Sequence, residues 1–158
     1  MAEPDYRAQL YDIFAAATLD FEEKVARALD LGCEYLELPL GFLTRIEDGS
    51  QAIVQSTGDH PLLQPGATCP LDRAYCRRTV EIDSPLAIQD ADAAEDVTQA
   101  AVDTFGLEAY IGAKITAEDD VYGTICFAAE TQRETPFDEA ETHFVELVAK
   151  LVGHALER

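Results

Sequence analysis

Residues 105–128 constrain the fold of this chain more than any other stretch. Phe105-Gly-Leu-Glu-Ala-Tyr-Ile-Gly-Ala-Lys-Ile-Thr116 and Val121-Tyr-Gly-Thr-Ile-Cys-Phe-Ala128 are rich in β-branched and aromatic residues, and the acidic Ala117-Glu-Asp-Asp120 separates them. Two such runs joined by a short polar turn predict a β-hairpin. Each arm carries one glycine, Gly112 and Gly123, where a bulge or a close backbone approach is expected.

The rest of the chain builds around that hairpin. Tyr6 to Ala17 is helix-prone and reads as an N-terminal arm within residues 1–18. Asp20-Phe-Glu-Glu23 is a capping box opening a second helix, whose stripe of Phe21, Val25, Ala28, Leu29, Cys33 and Leu36 defines one buried face. Pro39 ends it. Leu40 to Glu47 and Gln51 to Thr57 form a hairpin about Asp48-Gly49. Gly58 to Pro70 carries no periodic pattern and reads as a loop, followed by a helix over Leu71 to Ile82, a short strand over Leu86 to Ile88, and a helix over Asp92 to Phe105 with Gly106 at its C-terminal cap. Thr135-Pro136 places an N-cap and a first-turn proline ahead of a last helix to Leu156.

Hairpins without βαβ alternation indicate an α+β domain on a central antiparallel sheet of five to six strands. The terminal helices cover one face, and the middle helices and loops cover a pocket on the other. With Gly41-Phe-Leu-Thr-Arg-Ile46, Pro70-Leu-Asp-Arg-Ala-Tyr-Cys-Arg-Arg-Thr79 and Ser84-Pro-Leu-Ala-Ile-Gln-Asp-Ala91, the 105–128 hairpin resembles a GAF domain over residues 19–158. The GAF domain is the small sensory module of histidine kinases and transcriptional regulators. The resemblance implies a ligand pocket between the sheet and the middle segment. Tyr110, Gly112, Thr124 and Cys126 would line it from the strands, and Tyr75, Cys76, Thr79 and Asp90 from the covering segment. The same residues also suit a filled core, and both readings stay open.

Composition narrows the partners. Eleven basic against 31 acidic side chains give a net charge of −20, and only Lys24, Lys114 and Lys150 are lysines. Lysine-poor acidity of this kind indicates a halophile, because at molar salt the Debye length falls to about 3 Å and dense carboxylates no longer repel strongly. With the resemblance, it points to a haloarchaeal sensor kinase or bacterioopsin-activator-like regulator. So negative a surface argues against direct binding of nucleic acid or anionic lipid. No apolar run approaches the length of a membrane span and no secretory signal is read, so a cytoplasmic location is expected.

Catalytic and metal signals are weak. Cys33, Cys69, Cys76 and Cys126 form no C-x-x-C pair, and His60, His143 and His154 form no ligating motif, so metal and haem are not expected and solvated or half-buried histidines are. Bilin-binding relatives attach chromophore through a cysteine followed by histidine, whereas arginine follows Cys76, which argues against a bilin. The cysteine pattern of the GAF domains that reduce free methionine sulfoxide is also missing. Cys76 beside Arg77 and Arg78 is expected to be a small packed side chain, with a thiol sensor as the alternative, and Cys69 and Cys126 are candidates to join it in a thiol cluster.

The expected function is therefore a non-catalytic sensor of a small ligand or of redox state. Its alternatives are a dimerisation module with a filled core and a redox sensor or enzyme centred on Cys76. A homodimer through the N- and C-terminal helices is expected in either non-catalytic case. Phe144, Leu147, Leu151 and Ala155 would face the sheet, leaving Val145, Val148, Val152 and the Leu10, Ile13, Phe14, Ala17 stripe for the partner.

Overall fold

The structure, a computed structural model, describes residues 5–70, 79–80, 85–88, 106–131 and 133–157. Two helices, α1 (Tyr6–Ala15) and α2 (Phe21–Leu36), precede the strands β1 (Leu40–Glu47), β2 (Ser50–Thr57), β3 (Thr68–Pro70), β4 (Leu86–Ile88), β5 (Ala109–Ala117) and β6 (Asp120–Ala129), and α3 (Glu139–Leu156) closes the chain. The strands form one sheet in the order β3-β2-β1-β6-β5-β4, every pair antiparallel. This is an α+β fold on a six-stranded antiparallel sheet. The expected helices over Leu71 to Ile82 and Asp92 to Phe105 lie outside the described residues.

Both hairpins turn through two left-handed residues. Asp48 and Gly49 have φ of 55° and 76°, which a tight two-residue turn between twisted strands requires. Glu118 and Asp119, both exposed, adopt φ of 52° and 69° without a glycine, a conformation uncommon for side-chain-bearing residues and more readily adopted by aspartate than by glutamate. The bulge in the β5–β6 pair falls between Ile115 and Thr116, opposite Gly123 rather than at Gly112. A Cβ at Gly123 would sit 2.0 Å from the Thr44 carbonyl oxygen, so glycine there serves the close approach of β1 and β6.

The first face of the sheet is covered by the three helices. Strand alternation sends Ala109, Ile111, Ala113 and Ile115 from β5 and Ile125, Phe127 and Ala129 from β6 into this core. Helix α2 begins at the expected place, with the Asp20 carboxylate accepting from Glu23 N–H at 2.9 Å as one half of the expected capping box, and ends at Glu37 in the left-handed conformation. Tyr35 links the other two helices to it, its ring centroid 4.7 Å from that of Tyr6 and 4.8 Å from that of Phe144.

Several expectations are corrected here. The apolar residues of α1 have a surface to cover within their own domain: Leu10 is fully buried against the helix-side core, and Ile13 and Phe14 pack on it half-buried. On α3 the sheet-facing residues are Phe144, Val145, Val148 and Val152, while Leu147, Leu151 and Ala155 are only half-buried. The stripe is thus rotated from the expected one, and the valines are its centre. Helix α3 also starts later, because Asp138 and not Thr135 caps it. Asp138 and Glu141 exchange backbone-to-carboxylate bonds at 2.7 and 3.0 Å, and Arg133 pairs with Glu141 while lying over the Phe137 ring. Finally, the Gly58–Pro70 segment is not wholly a loop, since Thr68–Pro70 pairs with the edge of β2. Three residues ending in proline carry too little pattern to announce a strand, and the neighbouring edge decides it.

Candidate functional site

The second face of the sheet, turned away from the terminal helices, has its own apolar core of Phe42, Ile53, Leu63, Leu86, Ile88 and Leu107. A row of polar side chains crosses it. Register sets Thr44 opposite Thr124 and both Phe42 and Gly112 opposite Cys126. Alternation then brings Tyr110, Gly112, Thr124 and Cys126 onto the same side. Thr79, Tyr110, Cys126, Thr124 and Thr44 are all fully buried.

These groups are hydrogen-bonded in sequence. Thr79 Oγ1 lies 2.8 Å from Tyr110 Oη, Tyr110 Oη 3.1 Å from Cys126 Sγ, and Thr124 Oγ1 2.7 Å from Thr44 Oγ1. The Cys126 thiol donates to Thr124 Oγ1 at 3.1 Å, and Thr124 N–H donates to Thr44 Oγ1 at 3.0 Å. A thiol has one proton, so with Cys126 donating to Thr124 the Tyr110 hydroxyl must donate to the sulfur and accept from Thr79. The row is therefore directional from Thr79 to Thr124. Gly112 makes it sterically feasible: a Cβ there would stand 2.4 Å from Tyr110 Oη and 3.1 Å from Cys126 Sγ. Its missing side chain is the space in which the tyrosine hydroxyl meets the thiol.

Gln51 lies on the same face at the β2–β3 edge. Its neighbours in register are Ile46 and Cys69, both packed against the same apolar core. The side chain is 3% exposed, and its Oε1 has no hydrogen-bond partner. A buried amide oxygen without a donor costs on the order of 1–3 kcal/mol, so its retention calls for an explanation. Beside it the 58–67 loop packs Leu63 into the core and buries His60 to 6% exposure, against the expectation of a solvated or half-buried ring. His60 Nδ1 accepts from Leu62 N–H at 3.1 Å, which puts its ring proton on Nε2.

Thr79, Tyr110, Gly112, Thr124 and Cys126 are thus gathered in one row, whereas Tyr75, Cys76 and Asp90 lie outside the described residues. The structure does not join Cys69 and Cys126: they stand on β3 and β6, three strand spacings or about 14 Å apart across the sheet. Cys126's partners among the described residues, a phenol and a threonine hydroxyl, are not bases at neutral pH. Cys33 belongs to the helix-side core, where burial and the nearby Asp30 push its thiol up to about 12. Among the described residues no cluster of histidine, cysteine and carboxylates has the geometry of a metal site, and no helix is long and apolar enough to cross a membrane.

Two residues of this face were not singled out by sequence, Thr44 and Gln51. The signal available was alternation: Gln51 shares the parity of Ile53, and Thr44 that of Phe42 and Ile46.

Solved structures of low sequence identity share this architecture. The phycoerythrobilin-bound GAF domain of a cyanobacterial phytochrome superposes with a TM-score of 0.78 at 14% identity, covering 99% of this chain and 96% of that one. The free methionine-R-sulfoxide reductase of Neisseria meningitidis, solved with its substrate, gives 0.75 at 16% identity, with 99% and 93% covered. The GAF domain of an Acinetobacter phosphoenolpyruvate-protein phosphotransferase gives 0.75 at 10% identity, with 96% and 89% covered. At these identities the likeness defines a fold shared by sensory domains and an enzyme. The family model for the GAF domain matches residues 18–157, and the chain belongs to the GAF family. No curated protein matches it.

Proposed function

We propose that this chain is a non-catalytic sensory domain that takes a small ligand on the sheet face opposite the terminal helices and signals through those helices to a kinase or transcriptional output. The observation that carries this reading is the buried Gln51 Oε1, an acceptor with no donor beside a buried polar row. A ligand with an N–H or O–H group would complete it, and the apolar side chains around it would hold the ligand's body. Three solved relatives lend support: the structures of two phytochrome GAF domains hold bilins and that of the methionine sulfoxide reductase holds its substrate. The net charge of −20 supports a halophilic, archaeal source and a cytoplasm rich in salt.

The reading includes a homodimer through the terminal helices, supported by apolar side chains that α1 and α3 leave half-exposed, such as Ile13 and Leu147. A second reading, a scaffold with a filled core, draws on the row from Thr79 to Thr44, whose members already satisfy one another. Native mass spectrometry separates the two. Protein purified in molar KCl and exchanged into ammonium acetate is expected to carry a small-molecule mass that unfolding releases. A bare chain mass from cells in which the protein is functional would favour the scaffold.

A further inference from the structure

Where α1, α2 and α3 meet, on the side of the sheet away from the polar row, the structure holds a groove of about 360 Å³. That volume falls within the range of small-molecule sites. Its walls are apolar and partly aromatic, from Tyr11 and Phe14 of α1, Phe21 of α2 and Leu151 of α3. Tyr11 is 52% exposed, unusual for so large a ring. Ala155 of α3 also lines it, as do two nitrogen-bearing side chains, Lys24 and His154.

Their presence runs against the composition of the chain. There are 31 carboxylate side chains and only three lysines, yet one of the three is at this groove. Lys24 is half-buried, and no carboxylate among the described residues pairs with it. Lys150, by contrast, is paired with Glu146 at 3.0 Å. The Glu157 carboxylate is 3.9 Å from His154 Nδ1, at the limit of an ion pair. An unpartnered ammonium beside an aromatic groove complements a molecule with an apolar body and one anionic head.

We propose that this groove is a second binding site, distinct from the sheet face, for an amphipathic carboxylate. The chain or ring of the ligand lies between Phe14, Phe21 and Leu151, and its carboxylate pairs with Lys24 and accepts from the His154 ring. Because all three terminal helices contribute walls, occupancy fixes their spacing.

Octanoate is the probe, titrated into the full chain in molar KCl and followed by amide chemical shifts. Saturable shifts confined to the neighbourhood of Phe14, Lys24 and Leu151 are expected. Octan-1-ol, with the same chain and no charge, should bind about fivefold more weakly, and acetate should leave these amides unmoved. Lys24→Gln should weaken octanoate about fivefold with the melting midpoint unchanged. Ala155→Trp, which fills the groove, should remove binding; if that variant does not fold, Lys24→Gln alone decides. Absence of saturation, equal affinity for octanoate and octan-1-ol, or an unchanged affinity in Lys24→Gln overturns the proposal. So does a dimer by sedimentation that Lys24→Gln weakens while octanoate leaves the groove amides unmoved, since the occupant would then be a second copy. Gln51→Leu, on the other face, is the control: loss of the ligand proposed there leaves octanoate binding untouched.

Discussion

The two faces of the sheet use the same strands for different ends. Toward the helices, β5 and β6 present alanine, isoleucine and phenylalanine, and the core they enter is held by shape and apolar burial alone. Toward the other side they present Tyr110, Gly112, Thr124 and Cys126, whose hydrogen-bonded row ends at Thr44 of β1, and on the next strand Gln51 is left without a donor. Buried polar groups that contribute little net stability, one of them orphaned, point to a purpose other than stability. On the function proposed above, the helix face supplies stability and the other face recognition.

The two faces should respond to substitution in a definite order. On the helix side, Phe127→Ala removes a fully buried ring that lies within 2.3 Å of where a Cβ on Gly32 would stand, and should cost about 3–5 kcal/mol in chemical denaturation without altering the binding proposed for the second face. On the second face, Tyr110→Phe keeps the ring but strips Thr79 and Cys126 of a shared partner; denaturation should show a smaller loss, about 1–3 kcal/mol. If Tyr110→Phe proves the costlier, the row is a structural element and the division between the faces fails.

The thiols sharpen the comparison further. Cys33's pKa is raised from 9.0 to about 12, so its neutral form is the one the fold favours. The corresponding stability is fully present below pH 9 and is lost as pH rises from 9 toward 12, where the unfolded thiol ionises and the folded one does not. Denaturant midpoints across that window should fall less in Cys33→Ala than in the wild type. An equal fall in both would remove the thiol from the explanation. The smallest effect expected is at the proposed dimer surface, where Leu147→Glu should leave the monomer's melting midpoint nearly unchanged and shift sedimentation in molar KCl toward monomer.

Much of the fold was legible because it rests on local rules. Asp48-Gly49 announces a tight hairpin turn, Asp20 a helix start, and the two runs around residue 118 a pair of strands. What resisted reading was decided by partners. Thr68–Pro70 becomes a strand only because β2 has a free edge, and α3 buries valines rather than its leucine stripe because strand β5 fixes the helix's rotation. The row on the second face was partly readable: the parity of Tyr110, Gly112, Thr124 and Cys126 is a matter of counting by two. Gln51 and Thr44 do not stand out, because a glutamine or threonine in a hairpin strand resembles a solvent-facing residue. Only the β1–β2 and β2–β3 pairing shows which side each takes.

The most direct test of the division between the faces is the thermal midpoint of Gln51→Leu, measured in molar KCl with and without the small molecules extracted from the wild-type protein. Bare Gln51→Leu should melt at or above the bare wild type, because the substitution removes an unsatisfied buried oxygen, and the extract should raise the wild type alone. A bare variant that melts well below the wild type, or an extract that raises both proteins equally, would contradict the assignment of recognition to this face.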